Sequence, residues 1–410
     1  MSSTRHICRL ILVLMLPILA CSCHNSPKQF DPKQVAFSVE HNPIFDGQIY
    51  PAIILGTNNN TFGYQLSSFN MKVTSPRDGA VLRIVIDSSA LNYVTIIQEI
   101  LPQRGQTYTF NDASIKWKYD ALRKLQVPGS VDLTFTCYIN DEEVDVKNLH
   151  LAYRTANECP LTIAYQGQQY DFRWLFAAYV NEDHPSIEQI LTDIIDQGIV
   201  TRLSGYQGGP NAVREQVFAV WYYVLNRGIA YSSITCTSNP SSRANVQHIR
   251  FFDQVWNTRQ ANCVDACVFF ASILRKIGLK PVIFVEPCHA YLGYYTDAKR
   301  KDIALLETTI TAWANFPELE RSLDDNGRLP EAQLKRVSKY LSTEQLEAYR
   351  NGTLSFEELK RAVARSLFDK ASQYNREQYE TNRAHFADST MTTYQQLDIE
   401  QLRSMVRPIN

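Results

Sequence analysis

Charge of one sign is missing from this chain: across 410 residues, 41 Lys and Arg stand against 42 Asp and Glu. No basic excess exists to hold the phosphate backbone of a nucleic acid. Long apolar runs are missing too. The run Leu10 to Ala20 is too short to span a bilayer as a stable helix, which takes about 20 residues, and no further transmembrane stretch follows it. No internal repeat is visible, and the pair Gly208-Gly209 lacks the Lys-Ser/Thr ending of a phosphate-binding loop, so it reads as a turn. What remains is an ordinary globular composition, 45% hydrophobic with 22 Tyr and 19 Phe. Its length predicts two or three domains.

The first residues carry an address. Arg5 and Arg9 flank the start of the Leu10 to Ala20 run, which stops at Cys21, as in a secretory leader. Ile18-Leu-Ala-Cys21 resembles the lipobox of bacterial lipoproteins, in which the cysteine becomes the mature N-terminus and carries lipid. Residues 1–21 are then a signal peptide and 22–34 a polar tether, and the chain is expected in the bacterial cell envelope, at the outer membrane or periplasmic face. Its contact with the membrane would be through the N-terminal lipid only. Cys23 as the lipidated residue, and a plain signal peptide cut nearby, are the alternatives. With Cys8 removed and Cys21 lipidated, seven of the 9 cysteines remain, and an odd number leaves at least one unpaired. Cys137 and Cys159 flank a hairpin-like segment and could pair.

Residues 35–157 read as short strands with turns between them. Leu82, Ile84 and Ile86 alternate with their neighbours, and Val131, Leu133, Phe135, Cys137 and Ile139 do so more cleanly, followed by Asn140-Asp141 and a return strand through Val144 and Val146. An immunoglobulin-like β-sandwich is the natural expectation, with Trp117 as a strand-facing aromatic. No constellation of His, Asp or Glu there suggests chemistry, which leaves a spacer or binding platform. Helical signals take over after Asp171. Ile187, Ile190, Leu191, Ile194 and Ile195 form a stripe with Ser186 as cap, Gln189 completing a capping box and Gly198 as stop; a second helix runs from about Ala212 to Asn226 behind Asn211. At about 325–390 the chain is charged and helical, with capping boxes at Ser342–Gln345 and Ser355–Glu358, before a closing strand at Leu397-Asp-Ile399. Such an insertion could act as a lid or enlarge a substrate surface; a packed helical appendage is the plainer expectation.

Chemistry concentrates between those helical regions. Asn262 is a good N-cap, Asp265 sits at the third helical position, Arg275 and Lys276 close the last turn and Gly278 can take the left-handed terminal conformation. Cys263 therefore opens a helix, where unpaired backbone N–H groups gather. A helix N-terminus and a neighbouring imidazolium are the two usual ways of favouring a thiolate. Strand-like runs follow at Pro281 to Val285, Ala290 to Tyr295 and Ile303 to Leu306. The helix should pack on this antiparallel sheet, with His289 beginning one strand and Glu307 ending the next. Cys263, His289 and Glu307 then read as nucleophile, base and orienting carboxylate. Gln247 could donate to an oxyanion, although the backbone N–H of Cys263 is the safer donor.

These residues resemble the transglutaminase-like branch of the papain-like cysteine enzymes. The resemblance rests on a helix-opening Cys, a downstream His-Ala-aromatic strand and an acidic residue followed by Thr-Thr, and covers roughly Asp171 to the C-terminus. Similar bacterial domains usually carry glycines beside the Cys and the His, where this chain has Ala261-Asn262 and Pro287-Cys288, and their third member is most often Asp. The resemblance implies an α+β catalytic domain at 158–410, no cofactor, and attack of Cys263 on an amide carbonyl of a protein or peptide substrate through a thioacyl intermediate. Water as acceptor gives a peptidase or amidase, an amine gives transamidation, and bacterial members of this kind are more often suspected hydrolases. A non-catalytic binding module at the membrane surface is the alternative, and an oxidisable Cys263 in an oxidising compartment fits a low-turnover or binding role.

Cys263, Cys267, Cys288 and His289 supply the atom types zinc takes. Cys288 and His289, as neighbours on a strand, would point to opposite faces, which argues against a metal site. A disulfide between Cys263 and Cys267 is also poor, because helical positions i and i+4 hold their Cβ atoms about 5–6 Å apart, too far for the bond.

Overall fold

The computed structural model describes residues 35–58, 66–233, 237–238, 242–388 and 391–410. Cys21, Cys23 and the leader lie outside the described residues. The architecture is α+β, 38% helical and 28% strand.

Alternation of apolar and polar residues builds the first part of the chain. Strands Gln48–Ile49, Glu142–Tyr153, Gly129–Ile139, Ala80–Ile86 and Thr95–Leu101 form, in that spatial order, a five-stranded sheet; Phe37–His41, Phe69–Thr74 and Thr107–Asn111 form a three-stranded one. Leu82, Ile84 and Ile86, with Leu133, Phe135, Cys137 and Ile139, are buried along one face, as the period of two dictates. Phe69 of the smaller sheet meets Phe135 of the larger edge-on, ring centroids 5.4 Å apart. Asn140 and Asp141 join the two longest strands with φ of 49° and 67°. Positive φ at both positions is what a tight two-residue hairpin loop requires, and Asn and Asp tolerate it best after glycine.

Several local expectations give way here. Cys137 and Cys159 are both free and buried. Cys137 belongs to the five-stranded sheet, whereas Cys159 lies on Glu158–Tyr165, which pairs with Ala244–His248 and Gln168–Asp171 in another sheet. Trp117 is buried outside any strand, with an isolated bridge to Asn92, and its indole N–H donates to Asp112 O at 3.1 Å. The helix Ser186–Asp196 makes no capping box, because Ser186 already lies inside it; the Ser186 N–H donates to His184 Nδ1 and Gln189 reaches forward to Asp193. Asn211 likewise sits within the first turn of Gly209–Arg227, which starts early because Pro210 is pre-set for a helical N-terminus. The capping boxes at Ser342 and Ser355 form.

The second half is organised around one sheet. Ile303–Leu306, His289–Tyr295, Pro281–Glu286 and Gln395–Asp398 lie side by side in that order, all antiparallel. Ile283, Val285, Ala290, Leu292, Tyr294 and Leu306 join the main core, into which the helix Cys263–Lys276 also packs. Val282, Phe284, Tyr291 and Leu305, the alternate residues, form a separate apolar cluster with Tyr379 and Phe386, both on the helix Arg376–Ala387. The C-terminal helical segment thus covers the far face of the sheet before the chain re-enters it as the Gln395–Asp398 strand. The preceding helix, Phe356–Tyr374, sets Phe368 against Phe218 and Trp221 and pairs Arg365 with Glu215 at 2.5 and 2.9 Å. The chain then returns to its beginning: Arg407 Nε donates to Leu55 O at 2.9 Å and Val406 bridges Thr57. No helix among the described residues is long and apolar enough to cross a membrane.

Gly293 sits mid-strand where a Cβ would stand 2.5 Å from the Phe284 ring and 3.1 Å from Ile303. That ring is stacked on Tyr291 and met edge-on by Phe386, so it has nowhere to go. Gly293→Ala is expected to destabilise the protein by about 1–3 kcal/mol, read as a lowered urea midpoint at unchanged slope.

Candidate active site

Cys263 is held where it is by the residues on either side of it. Asn262 Oδ1 accepts from the Asp265 N–H at 2.9 Å while Asp265 Oδ2 accepts from the Asn262 N–H at 2.9 Å. This reciprocal cap satisfies two donors that a helix start leaves unpaired. Asp265 is fully buried, and its remaining bonds come from Arg250, through the backbone N–H at 2.7 Å and Nη1 at 2.6 Å. Burial pushes the Asp265 carboxyl above its ordinary range even so, with the Asn262 N–H and Arg250 pulling the other way.

His289 reaches the same place by a turn. The strands Pro281–Glu286 and His289–Tyr295 are joined by two residues only, Pro287 and Cys288, and Cys288 has φ of +64°. A left-handed conformation favours glycine, and here a cysteine takes it. Cys288 is exposed in that turn rather than on a strand, and Cys267 is buried, 3.8 Å from Thr308 Oγ1.

His289 Nε2 lies 2.7 Å from Glu307 Oε2, and His289 shares its cleft with Cys263, whose thiol is near enough to favour the charged ring. Glu307 is 1% exposed. Its Oε1 accepts from the Thr309 N–H at 3.0 Å and Thr309 Oγ1 at 2.6 Å, and its Oε2 accepts from Asn375 Nδ2 at 2.7 Å. Burial by itself would raise the Glu307 pKa; His289, Thr309 and Asn375 outweigh it and hold the carboxyl below its usual range. For His289, burial would favour the neutral ring. Cys263 and Glu307 win and push its pKa up to about 10.

Cys263, Val264, Glu286, His289 and Gln247 line one cleft of about 470 Å³, together with Arg173 and apolar residues such as Leu161, Phe176 and Val285. The Gln247 amide donates to His248 O at 3.0 Å, so one of its two N–H bonds is committed to the backbone. Arg173 is anchored by Asp171 Oδ2 at 2.5 Å and by Thr392 O. Sequence reasoning brought Cys263, His289, Glu307 and Gln247 into consideration, and the fold gathers all four. It missed Arg250, Glu286 and Asn375. The one signal available was Asp265: a carboxylate on an otherwise apolar buried helix calls for a cation somewhere. No protein-family model matches this chain, and no curated protein matches it.

The histidine's charge has a measurable consequence. A folded pKa near 10 against an unfolded value of about 6.5 gives a stabilising contribution that is full below about pH 6.5 and is lost as pH rises toward 10. The stability difference between wild type and His289→Gln in urea should therefore shrink from pH 6 to pH 10. A constant difference across that range would mean the ring is not held as imidazolium.

Proposed function

We propose that this chain is a cell-envelope cysteine enzyme of transglutaminase-like type. Its N-terminal sheets form an immunoglobulin-like β-sandwich that acts as a spacer, a reading supported by the Phe69–Phe135 contact between them. The observation that carries the function is the His289–Glu307 pair at 2.7 Å, with His289 and the helix-opening Cys263 lining the same cleft.

In this reading the Cys263 thiolate, paired with the His289 imidazolium, attacks an amide carbonyl of a protein or peptide. The carbonyl oxygen takes up the negative charge and is met by first-turn backbone N–H groups of the helix, with Gln247 as a further candidate donor. Collapse breaks the C–N bond; His289 delivers its proton to the leaving amine, leaving a thioester on Cys263. Water then gives a proton to His289 as its oxygen attacks the thioester, releasing the acid and restoring the ion pair. Glu307 orients the ring and offsets its charge throughout. Hydrolysis as peptidase or amidase is preferred over transamidation. The second reading, a non-catalytic binding module, draws on Cys288, which stands on the cleft beside His289 where a glycine would leave more room.

Mass-mapped alkylation by iodoacetamide at neutral pH separates the two. Cys263 should react about tenfold faster than the exposed Cys288, and His289→Ala should abolish that advantage; equal rates at the two cysteines would sink the enzyme. A panel of peptide and peptidoglycan amide probes then identifies the substrate. For the proposed lipid anchor, Cys21→Ser should move the protein from the membrane to the soluble fraction of a bacterial host and end palmitate incorporation, and retention on membranes would refute the anchor.

A further inference from the structure

We propose that Glu286 is a positioning residue that helps keep His289 charged, and that Asn375 and the helix Arg376–Ala387 hold both carboxylates flanking the imidazole; this rests on the site proposed above. Glu286 and His289 are the last cross-strand pair before the Pro287–Cys288 turn, so their side chains leave the same face of the ladder with Cβ atoms about 5 Å apart. Glu286 is 4% exposed. Its two oxygens are taken by neutral amides, Gln378 Nε2 on Oε1 at 2.6 Å and Asn382 Nδ2 on Oε2 at 3.1 Å. No lysine or arginine among the described residues forms an ion pair with it, and the cation whose charge acts on it is His289. A carboxylate this buried is stable as an anion only with donors and a positive charge nearby.

The helix that supplies those donors is seated for the purpose. None of its residues is buried, and it meets the sheet through Tyr379 and Phe386 on Phe284. Asn375, Gln378 and Asn382 follow each other at intervals of three and four, so they share one helical edge. That edge grips Glu307 at one end and Glu286 at the other. Burial lifts the Glu286 pKa, with Asn382 and His289 pulling it down, as expected for a carboxyl whose charge is coupled to the ring.

The test is an NMR titration of the His289 ring in the full chain, in wild type, Glu286→Gln and Glu286→Asp. Removing the charge while keeping the shape should lower the His289 midpoint by about one pH unit, and Glu286→Asp should restore most of the difference. Coupling is reciprocal, so in His289→Gln the Glu286 carboxyl should titrate at higher pH by a similar amount; this arm stands even if Glu286→Gln does not fold. A His289 midpoint unmoved in Glu286→Gln, or a Glu286 midpoint unmoved in His289→Gln, overturns the proposal. Slow alkylation of Cys263 in wild type would instead remove the catalytic reading and leave the charge coupling to be judged by the titrations alone.

Discussion

A buried carboxylate has to be surrounded by donors, and Glu307 draws them from three parts of the chain. His289 comes from the neighbouring strand, Thr309 from the turn just after, and Asn375 from the junction between the helices Phe356–Tyr374 and Arg376–Ala387. Leaving any one out would strand part of a charge in an apolar setting, at a cost of several kcal/mol for an unpaired ion. The sheet end, the turn and the C-terminal helices are therefore fixed relative to one another by the needs of a single side chain.

The same economy governs the sulfur. Asp265 caps the helix that Cys263 opens and simultaneously neutralises Arg250, just beyond the strand Ala244–His248. That strand carries Gln247, which lines the cleft. One carboxylate thereby sets the position of the helix start and of one cleft wall together. The two halves of the site are rigid for the same reason: each is organised by an acid that is out of water and fully occupied.

Much of this was legible before folding. The two-residue period marked the strands through Leu82–Ile86 and Val131–Ile139, and the Asn262–Asp265 spacing, with Gly278 at the far end, marked the Cys263 helix, since capping is chemistry between near neighbours. Local signals failed where a competing local partner existed. Ser186 and Asn211 look like caps, but His184 and Pro210 move each helix start upstream of them. Cys137 and Cys159 looked pairable from their spacing alone, and the structure puts them on two different sheets, both as free thiols.

The order of residues by itself determined where the Cys263 helix starts and that a strand begins at His289, because helix caps and strand alternation act over a few residues. Only the tertiary structure decided which distant residues meet. Asn375 meets Glu307 across 68 residues, and Gln378 and Asn382 meet Glu286 across 92 and 96. Contacts of that separation leave no periodicity in a sequence. They exist because the outer face of a sheet must be covered, and the helix that covers it brings its amides along.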